Sequence, residues 1–269
     1  MKPERYHLKN KKKAYLKGGY FILFIVLSLF SCSSKNNFTL TIAAAANVQF
    51  AMDTLAALFE EETGIKTNII TGSSGKLTAQ ILQGAPYDIF LSADMKYPEQ
   101  IFNSGKALDG PKVYAYGSLI LWTLKTDIEP GLEILTSDVI KRIAIANPRT
   151  APYGDVSVEF LKKMNLFEKV KDKLIYGESI SQVNQFITSR SADIGFSAES
   201  VVLSSRLTDT GNWIKLDSTK YTPLRQGAII IDRENGKINE AEKFISFLLS
   251  LPAKKILSEF GYKTHLSNE

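Results

Sequence analysis

Residues 66–92 read KTNIITGSSGKLTAQILQGAPYDIFLS, and this stretch predicts the fold class of the chain. Lys66–Thr71 is rich in β-branched residues and predicts a strand, and Tyr87–Ser92 predicts another. Between them, Gly72–Gly75 is a loop of small residues and Lys76–Gln83 predicts a helix. A strand, a helix and a second strand in this order form a parallel unit, with the helix packed on one face of a sheet. The stretch therefore predicts an α/β fold.

The same alternation continues on both sides of this unit. Upstream, Phe38–Ala43 predicts a strand, and the following helix has the apolar residues Met52, Leu55, Ala56 and Phe59 on one face. Downstream, strands are predicted at 118–123, 142–146, 173–176, 193–197 and 226–231, with helices at 154–164, 181–189 and around 241–248. We expect parallel sheets with helices on both faces and a ligand site where loops follow the carboxyl ends of the strands.

The formal charge of +5 comes from the N-terminal segment and not from the body of the chain. Residues 1–31 contain seven Lys or Arg and one Glu, so the remaining residues hold 26 basic and 27 acidic side chains, a formal charge of −1. A folded nucleic-acid binder keeps its basic surplus in the folded part, so no nucleic-acid partner is expected. One cysteine excludes an internal disulfide, and two histidines, His7 and His265, count against a zinc cluster or a histidine triad.

Residues 1–31 predict a lipoprotein-type export signal. A basic stretch precedes the apolar run Tyr20–Leu27, which has the length of a signal-peptide core and is shorter than the roughly 20 residues of a spanning helix. Leu29–Cys32 resembles a bacterial lipoprotein cleavage site, where Cys32 is lipidated and becomes the first residue, and residues 32–37 then form a polar tether. The alternative is an uncleaved anchor helix with an incidental cysteine. Both interpretations hold the body at a membrane, outside the cytoplasm.

The loops at the predicted strand ends are rich in small residues and hydroxyl groups. They are residues 43–47, 72–75, 93–94, 147–154 and 177–180. Small residues let main-chain N–H groups approach a ligand closely, and each helix N-terminus adds about half a positive charge. Together these features predict an anion site built from neutral donors.

Two of these loops allow other interpretations. Residues 72–76 lack the spacing of a nucleotide phosphate loop, because Ile70 stands at the position of the first glycine and Leu77 follows the lysine. Ser74 either bonds an anion or caps a helix, and Asn47 has the same alternative.

Three further side chains are candidates for chemistry. Asp88 and Asp94 are either a pair of catalytic carboxylates or ordinary strand-end and turn residues, and the second interpretation is favoured. Tyr153 either donates a hydroxyl or main-chain hydrogen to a ligand or covers a pocket.

Several loops together resemble the molybdate-binding proteins of ABC importers. The segments that carry the resemblance are Ala43–Asn47, Thr71–Leu77, Gly84–Asp94, Ala146–Pro148, Ala151–Gly154, Gly195–Ala198 and Phe260–Tyr262. The resemblance implies a two-lobed type II periplasmic binding protein fold, with parallel-rich sheets flanked by helices and the ligand in the cleft between the lobes. Lobe one would comprise residues 38–117 and 226–269, and lobe two residues 118–225 including the hinge.

The resemblance also implies a site and a function. The ligand-binding residues would be Ala46, Asn47, Ser74, Tyr153 and Ile180, with main-chain N–H groups, the Ser74 hydroxyl and the Asn47 side chain as donors. One departure is Ala198, where some relatives have a tyrosine hydroxyl. No cofactor and no catalysis are implied, and molybdenum would be held only as the oxyanion by the same residues. The chain would act as a monomer that captures molybdate, and tungstate as well, for an ABC permease and its ATPase subunit.

Three other functions stay open at this point. The first is the binding of sulfate, thiosulfate or phosphate on the same fold. The second is an extracytoplasmic hydrolase that uses Asp88, Asp94 or Ser74, against which the lack of a histidine base counts. The third is a sensing domain, against which the export signal counts.

Overall fold

Two mixed sheets of five strands each form the frame of the computed structural model, which describes residues 39–205, 211–234 and 236–264. The predicted export signal 1–31, the tether 32–37 with Cys32, and His265 lie outside these ranges. Within the ranges, no helix combines the length and the apolar character needed to cross a membrane.

The first sheet has the strand order β2-β1-β3-β10-β4. Its strands are β1 Thr39–Ala45, β2 Lys66–Gly72, β3 Ile89–Ser92, β4 Lys112–Gly117 and β10 Leu224–Ile230. β1 runs parallel to β2 and β3, whereas β10 runs antiparallel to β3 and β4. The carboxyl ends of β1, β2 and β3 therefore lie at one end of the sheet.

The second sheet has the order β7-β6-β8-β5-β9. Its strands are β5 Leu119–Thr123, β6 Ile143–Ala146, β7 Leu174–Gly177, β8 Ile194–Ala198 and β9 Asn212–Lys215. β6 runs parallel to β7 and β8, and β5 runs antiparallel to β8 and β9. The carboxyl ends of β6, β7 and β8 meet at one end of this sheet.

Helices connect most of the parallel strands. The α-helices are α1 Gln49–Thr63, α2 Ser74–Leu82, α3 Lys96–Asn103, α4 Pro152–Lys163, α5 Phe167–Val170, α6 Ile180–Thr188, α7 Glu199–Val202, α8 Ile238–Leu248 and α9 Leu251–Glu259. Short 3-10 helices span Ala46–Val48, Glu133–Thr136, Lys171–Lys173 and Ser218–Lys220.

Both faces of the first sheet are buried, because successive strand residues point to opposite sides. Leu40 and Ile42 of β1 pack with α1, α8 and α9, while Ala43 packs with α2 and α3 on the other face. The predicted apolar face of α1 is confirmed, since all four of its residues are buried. One of them, Phe59, contacts Phe244 of α8 edge to face, with ring centroids 5.0 Å apart. Helices thus cover the sheet in two layers.

The expected parallel-rich sheets are confirmed, and each of them also contains antiparallel pairs. β5 and β10 each run against their neighbours. The chain passes from β4 directly into β5, and from β9 to β10 through a short segment with the 3-10 helix Ser218–Lys220. Neither of these described passages contains an α-helix that returns the chain to the starting end of a sheet. β10 also begins at Leu224, two residues before the predicted start at Gln226.

The edge strands β4 and β9 and the helices α3 and α9 were not expected from the sequence. β9 is mostly exposed and lacks an apolar alternation. Both helices carry a proline near their start, Pro98 in α3 and Pro252 in α9, a position where proline is tolerated.

Candidate functional site

A small cavity lies where loops of the first sheet meet loops of the second. Its lining consists of Ala45, Ala46, Asn47, Gly72, Ser73, Ser74, Ala93, Ala151, Pro152, Tyr153 and Ile180. All five residues expected to bind the ligand are in this set. The cavity is narrow: its volume of about 10 Å³ corresponds to the space of about one water molecule, which excludes a sugar or a peptide.

Helix N-termini surround this cavity. Among the described residues, four of them begin there: the 3-10 helix Ala46–Val48, α2, α4 and α6, and none of the four has a side-chain cap. The first N–H groups of a helix have no intrahelical partner, so they are available to an acceptor in the cavity. The partial positive charge at each N-terminus adds to this preference for an anion.

Local sequence selects a single donor at the start of α4. The Ala151 N–H donates to the Asn147 carbonyl at 2.9 Å, and the Gly154 N–H donates to the Ala151 carbonyl at 2.9 Å. Pro152 has no N–H. The Tyr153 N–H is therefore the group that this helix start offers to the cavity.

Ser74 is not a helix cap, because Ser73 occupies the cap position of α2 and Ser74 is the first helical residue. The Ser74 side chain is buried, and its Oγ accepts a hydrogen bond from the Ala93 N–H at 3.1 Å. A serine hydroxyl has one hydrogen to donate, and this contact does not use it. Ser74 thus keeps a donor beside the cavity.

Asn47 is not a helix cap either, because Val48 precedes α1 and Asn47 lies inside the 3-10 helix. Its Nδ2 donates to Gln226 Oε1 at 2.8 Å and to the Tyr262 hydroxyl at 2.8 Å. An amide nitrogen has two hydrogens, and both are engaged. The expectation of a side-chain donor at Asn47 is therefore wrong for this arrangement, and what remains is the main-chain N–H.

The Tyr153 side chain is buried and approaches the segment that joins the two sheets. A Cβ atom on Gly117 would collide with its hydroxyl group, so this position requires glycine for lack of space. Burial is the main cause that raises the pKa of Tyr153 well above 10, and the nearby Tyr262 raises it further. The hydroxyl is neutral over the whole physiological range.

The electrostatics of the cavity come from main-chain dipoles. Among the described residues that line it, none carries a charged side chain. The nearby cation Lys76 lies outside the lining and pairs with Glu178 at 3.7 Å, with both side chains about half exposed. Such an exposed pair contributes little stability.

Comparisons with known proteins show the family to which the chain belongs. Residues 40–263 match the family of bacterial extracellular solute-binding proteins. The molybdate-binding protein ModA of Azotobacter vinelandii is 36% identical over 225 residues, which are 82% of this chain and 88% of that protein. The chain belongs to the ModA family of bacterial extracellular solute-binding proteins.

A solved structure and a further relative agree with this membership. The periplasmic molybdate-binding protein of A. vinelandii superposes with a TM-score of 0.78 and 32% identity, covering 83% of this chain and 98% of that one. YvgL of Bacillus subtilis, named as a candidate substrate-binding lipoprotein of an ABC transporter, is 29% identical over 236 residues, 86% of this chain and 89% of that protein. The expected periplasmic binding protein fold is confirmed, and the ModA family consists of solute-binding proteins and not of enzymes.

The carboxylates that would serve a hydrolase do not form a pair. Asp88 precedes β3 and Asp94 follows it, so they lie at opposite ends of one strand. Asp88 is buried and pairs with Arg233 at 2.9 Å and Lys237 at 3.4 Å. Burial raises the pKa of Asp94, and the Tyr97 N–H and Ser92 hydroxyl oppose that rise. In the described ranges, no three metal-ligating side chains cluster together.

Contacts at the rim of the cavity join the two sheets. The Gly75 N–H donates to the Thr150 carbonyl at 2.8 Å. The Tyr97 hydroxyl donates to the Arg149 carbonyl at 3.2 Å, and burial raises the pKa of Tyr97 to about 12. Since the hydroxyl stays protonated, this bond persists at physiological pH. The structure is therefore closed around the cavity.

A larger cavity, of about 570 Å³, lies along Gly117–Ser118 and Pro223–Leu224. Lys215 and Lys263 contribute to its lining, and none of the five expected ligand-binding residues does.

Sequence reasoning missed the buried polar residues behind the ligand site. Gln226 and Ser200 were not singled out, and Tyr262 was noted only as part of a family motif. A signal existed for Gln226, because a polar residue at the start of an otherwise apolar strand has to find partners when it is buried.

Proposed function

We propose that this protein captures molybdate outside the cytoplasm and delivers it to the permease of an ABC importer. The observation that carries the proposal is the convergence of Ala46, Asn47, Ser74, Tyr153 and Ile180 on one small, uncharged cavity. Membership of the ModA family supports molybdate as the ligand.

The donor set matches a tetrahedral dianion. We assign to the ligand the main-chain N–H groups of these five residues and the Ser74 hydroxyl. Hydrogen bonds to a charged group contribute about 1.5–3 kcal/mol each, so roughly six of them give about 9–18 kcal/mol before the opposing terms. Micromolar to nanomolar binding needs about 8–12 kcal/mol net, which an ordered cage of this kind can supply.

Selectivity should follow from the size of the cage. Mo–O bonds are longer than S–O bonds, so a sulfate ion held in a cage formed for molybdate leaves some donors without an acceptor. Unpaired buried donors are unfavourable, and the smaller ion binds more weakly. Tungstate has nearly the same dimensions as molybdate and should bind as well.

Delivery requires that the cage opens. We propose that residues 38–117 and 226–269 form lobe one around the first sheet, and that residues 118–225 form lobe two around the second. The chain passes between them near Gly117 and Pro223, where a few residues can absorb a rotation. Closure around the oxyanion would present both lobes to the permease and its ATPase subunit, and opening would release the ligand.

The N-terminal segment would hold this monomeric protein at the membrane. We propose that residues 1–31 are removed as a signal peptide and that Cys32 is lipidated. The relative YvgL, which is named as a lipoprotein, supports this proposal. Mass spectrometry of the mature N-terminus tests this step, and a mature chain that keeps residues 1–31 would contradict it.

Titration calorimetry of the body, residues 38–269, tests the ligand. We expect molybdate and tungstate to bind with dissociation constants in the micromolar range or below, and sulfate and phosphate at least about 100-fold more weakly, a difference of roughly 3 kcal/mol. Sulfate or phosphate binding as tightly as molybdate would replace the proposal with a general oxyanion binder. Binding of none of the four anions would reject the site.

A further inference from the structure

A buried hydrogen-bond network lies directly behind the anion cavity. Asn47, Gln226 and Tyr262 are each at most 3% exposed, and the Asn47 amide nitrogen donates to both of the others at 2.8 Å. Gln226 and Tyr262 do not line the cavity. Any influence they have on a ligand therefore passes through residues that do line it, namely Asn47 and, for Gln226, Ala93.

The direction of each bond in this network is fixed by Gln226. Its Nε2 donates to the Ala93 carbonyl at 3.0 Å and to the Leu224 carbonyl at 3.0 Å. Carbonyl oxygens only accept, so the amide of Gln226 cannot be turned round. Its Oε1 must then face Asn47, and Asn47 must present Nδ2 to it.

The same network determines where the Ser74 hydroxyl points. Ala93, whose carbonyl accepts from Gln226, donates its N–H to Ser74 Oγ at 3.1 Å. This bond occupies one of the two lone pairs of Ser74 Oγ and leaves its hydrogen available to an acceptor in the cavity. Gln226 thus connects the loop after β1 with the loop after β3 and, through Ala93, with the start of α2.

Tyr262 extends the network to the second sheet. Its hydroxyl lies 3.0 Å from the Asn47 carbonyl and 3.2 Å from Ser200 Oγ on α7. Ser200 Oγ itself donates to the Asn47 carbonyl at 2.7 Å. The loop that carries Asn47 is therefore held from both sheets at once.

We propose that Gln226 and Tyr262 are positioning residues of the oxyanion site. They hold Asn47 by both amide hydrogens, so that Asn47 gives the ligand its main-chain N–H. Through Ala93, Gln226 alone also orients the Ser74 hydroxyl. This inference rests on the proposed function, because it concerns the donors of that same site.

Tyr262→Phe and Gln226→Leu test the inference, with Tyr114→Phe as the matched control. Tyr114 is also a buried tyrosine of the first sheet, but its hydroxyl has no hydrogen-bond partner among the described residues. We expect Tyr262→Phe to raise the molybdate dissociation constant about tenfold and Gln226→Leu at least as much, since each loses one or more buried hydrogen bonds that order the donors. Tyr114→Phe should change it less than about twofold.

The ratio of the molybdate and sulfate affinities separates positioning from a purely structural role. Misdirected donors recognise the size of the anion poorly, so the ratio should fall about tenfold in Tyr262→Phe and stay constant in Tyr114→Phe. A residue that only supports the fold would lower the melting temperature of the ligand-free protein and leave the ratio unchanged. Should Gln226→Leu fail to fold, Tyr262→Phe, which removes a single oxygen, still gives the test.

The measured affinities distinguish failure of the positioning role from failure of the proposed function. Molybdate binding by Tyr262→Phe within about twofold of the unchanged chain, with the same ratio, would overturn the positioning role and leave the proposed function intact. Failure of the unchanged chain to bind molybdate would reject the proposed function, and the positioning role would fall with it.

Discussion

Ser74 has a side-chain hydroxyl group and a main-chain N–H group beside the cavity. It is the first residue of α2, it is buried, and its oxygen accepts the Ala93 N–H. Its hydrogen and its main-chain N–H are both left to the cavity. Two donors from one residue make Ser74 the position where a small change should have the clearest effect on the ligand.

Ser74→Ala should raise the molybdate dissociation constant tenfold or more, because a hydrogen bond to a charged ligand is worth about 1.5–3 kcal/mol. Ser104→Ala is the control, since the Ser104 hydroxyl donates to the Ile101 carbonyl of its own helix end, on the exposed surface. Titration calorimetry on both variants measures the effect. Equal affinities for the two would remove Ser74 from the site.

At this scale, the sequence predicted which residues meet but not what all of them do. Small residues and hydroxyls at strand ends, together with the family motif, pointed to five positions that line one cavity. The role of the Asn47 side chain was not predictable, because its amide partners Gln226 and Tyr262 lie 179 and 215 residues away along the chain. Only the folded core brings them together.

At the scale of elements, the start of α2 is pressed against the loop before α4. A Cβ on Gly75 would lie 2.9 Å from the Thr150 carbonyl and 2.9 Å from the Tyr97 hydroxyl. The Thr150 carbonyl belongs to the loops of the second sheet and meets this carbon only in the closed arrangement, whereas the Tyr97 hydroxyl is the end of a side chain on α3, beside the first sheet. A larger residue at Gly75 should therefore hinder the closed state without weakening α2 itself.

Gly75→Ala should therefore weaken molybdate binding about tenfold or more without destabilising the ligand-free protein, because alanine favours a helix by about 1 kcal/mol over glycine. Gly110→Ala is the control, since nothing lies within 4 Å of its added carbon. Calorimetry gives the affinity, and thermal melting without ligand gives the stability. A variant that binds as tightly as the unchanged chain would show that closure tolerates the extra atom.

The elements themselves differ in how far the sequence reveals them. α1 follows from its periodicity, because one of its faces is buried, and β3 and β5 follow from their apolar runs, because both of their faces are buried. The direction of β10 does not follow from the sequence, because parallel and antiparallel strands can have the same local sequence pattern. Its place between β3 and β4 depends on how the chain returns from the second sheet.

At the scale of the whole molecule, net charge and ligand charge are unrelated. The body carries a formal charge of −1, yet the proposed ligand is a dianion. The attraction is local, because helix dipoles and N–H groups act within the cavity and fall off beyond the first turn of each helix. The basic residues of the N-terminal segment take no part in this interaction on the proposed function.

Binding should accordingly be almost independent of pH between about 6.5 and 9, with a dissociation constant that changes less than about twofold. Among the described residues that line the cavity, Tyr153 is the one with an ionisable side chain, and burial raises its pKa well above 10. A raised pKa keeps the neutral form up to higher pH, so no negative charge develops beside the ligand, and the stability that this burial provides is lost only above about pH 10.

Titration calorimetry with molybdate at pH 6.5, 7.5 and 9 measures this, with Lys76→Met as the companion variant. Lys76 is the cation at the start of α2, and its partner in the structure is Glu178. If Lys76 bound the ligand, Lys76→Met would bind far more weakly. Such a loss would contradict a cage of neutral donors. Equal affinity at all three pH values and in Lys76→Met is expected, because the main-chain dipoles that hold the oxyanion do not titrate.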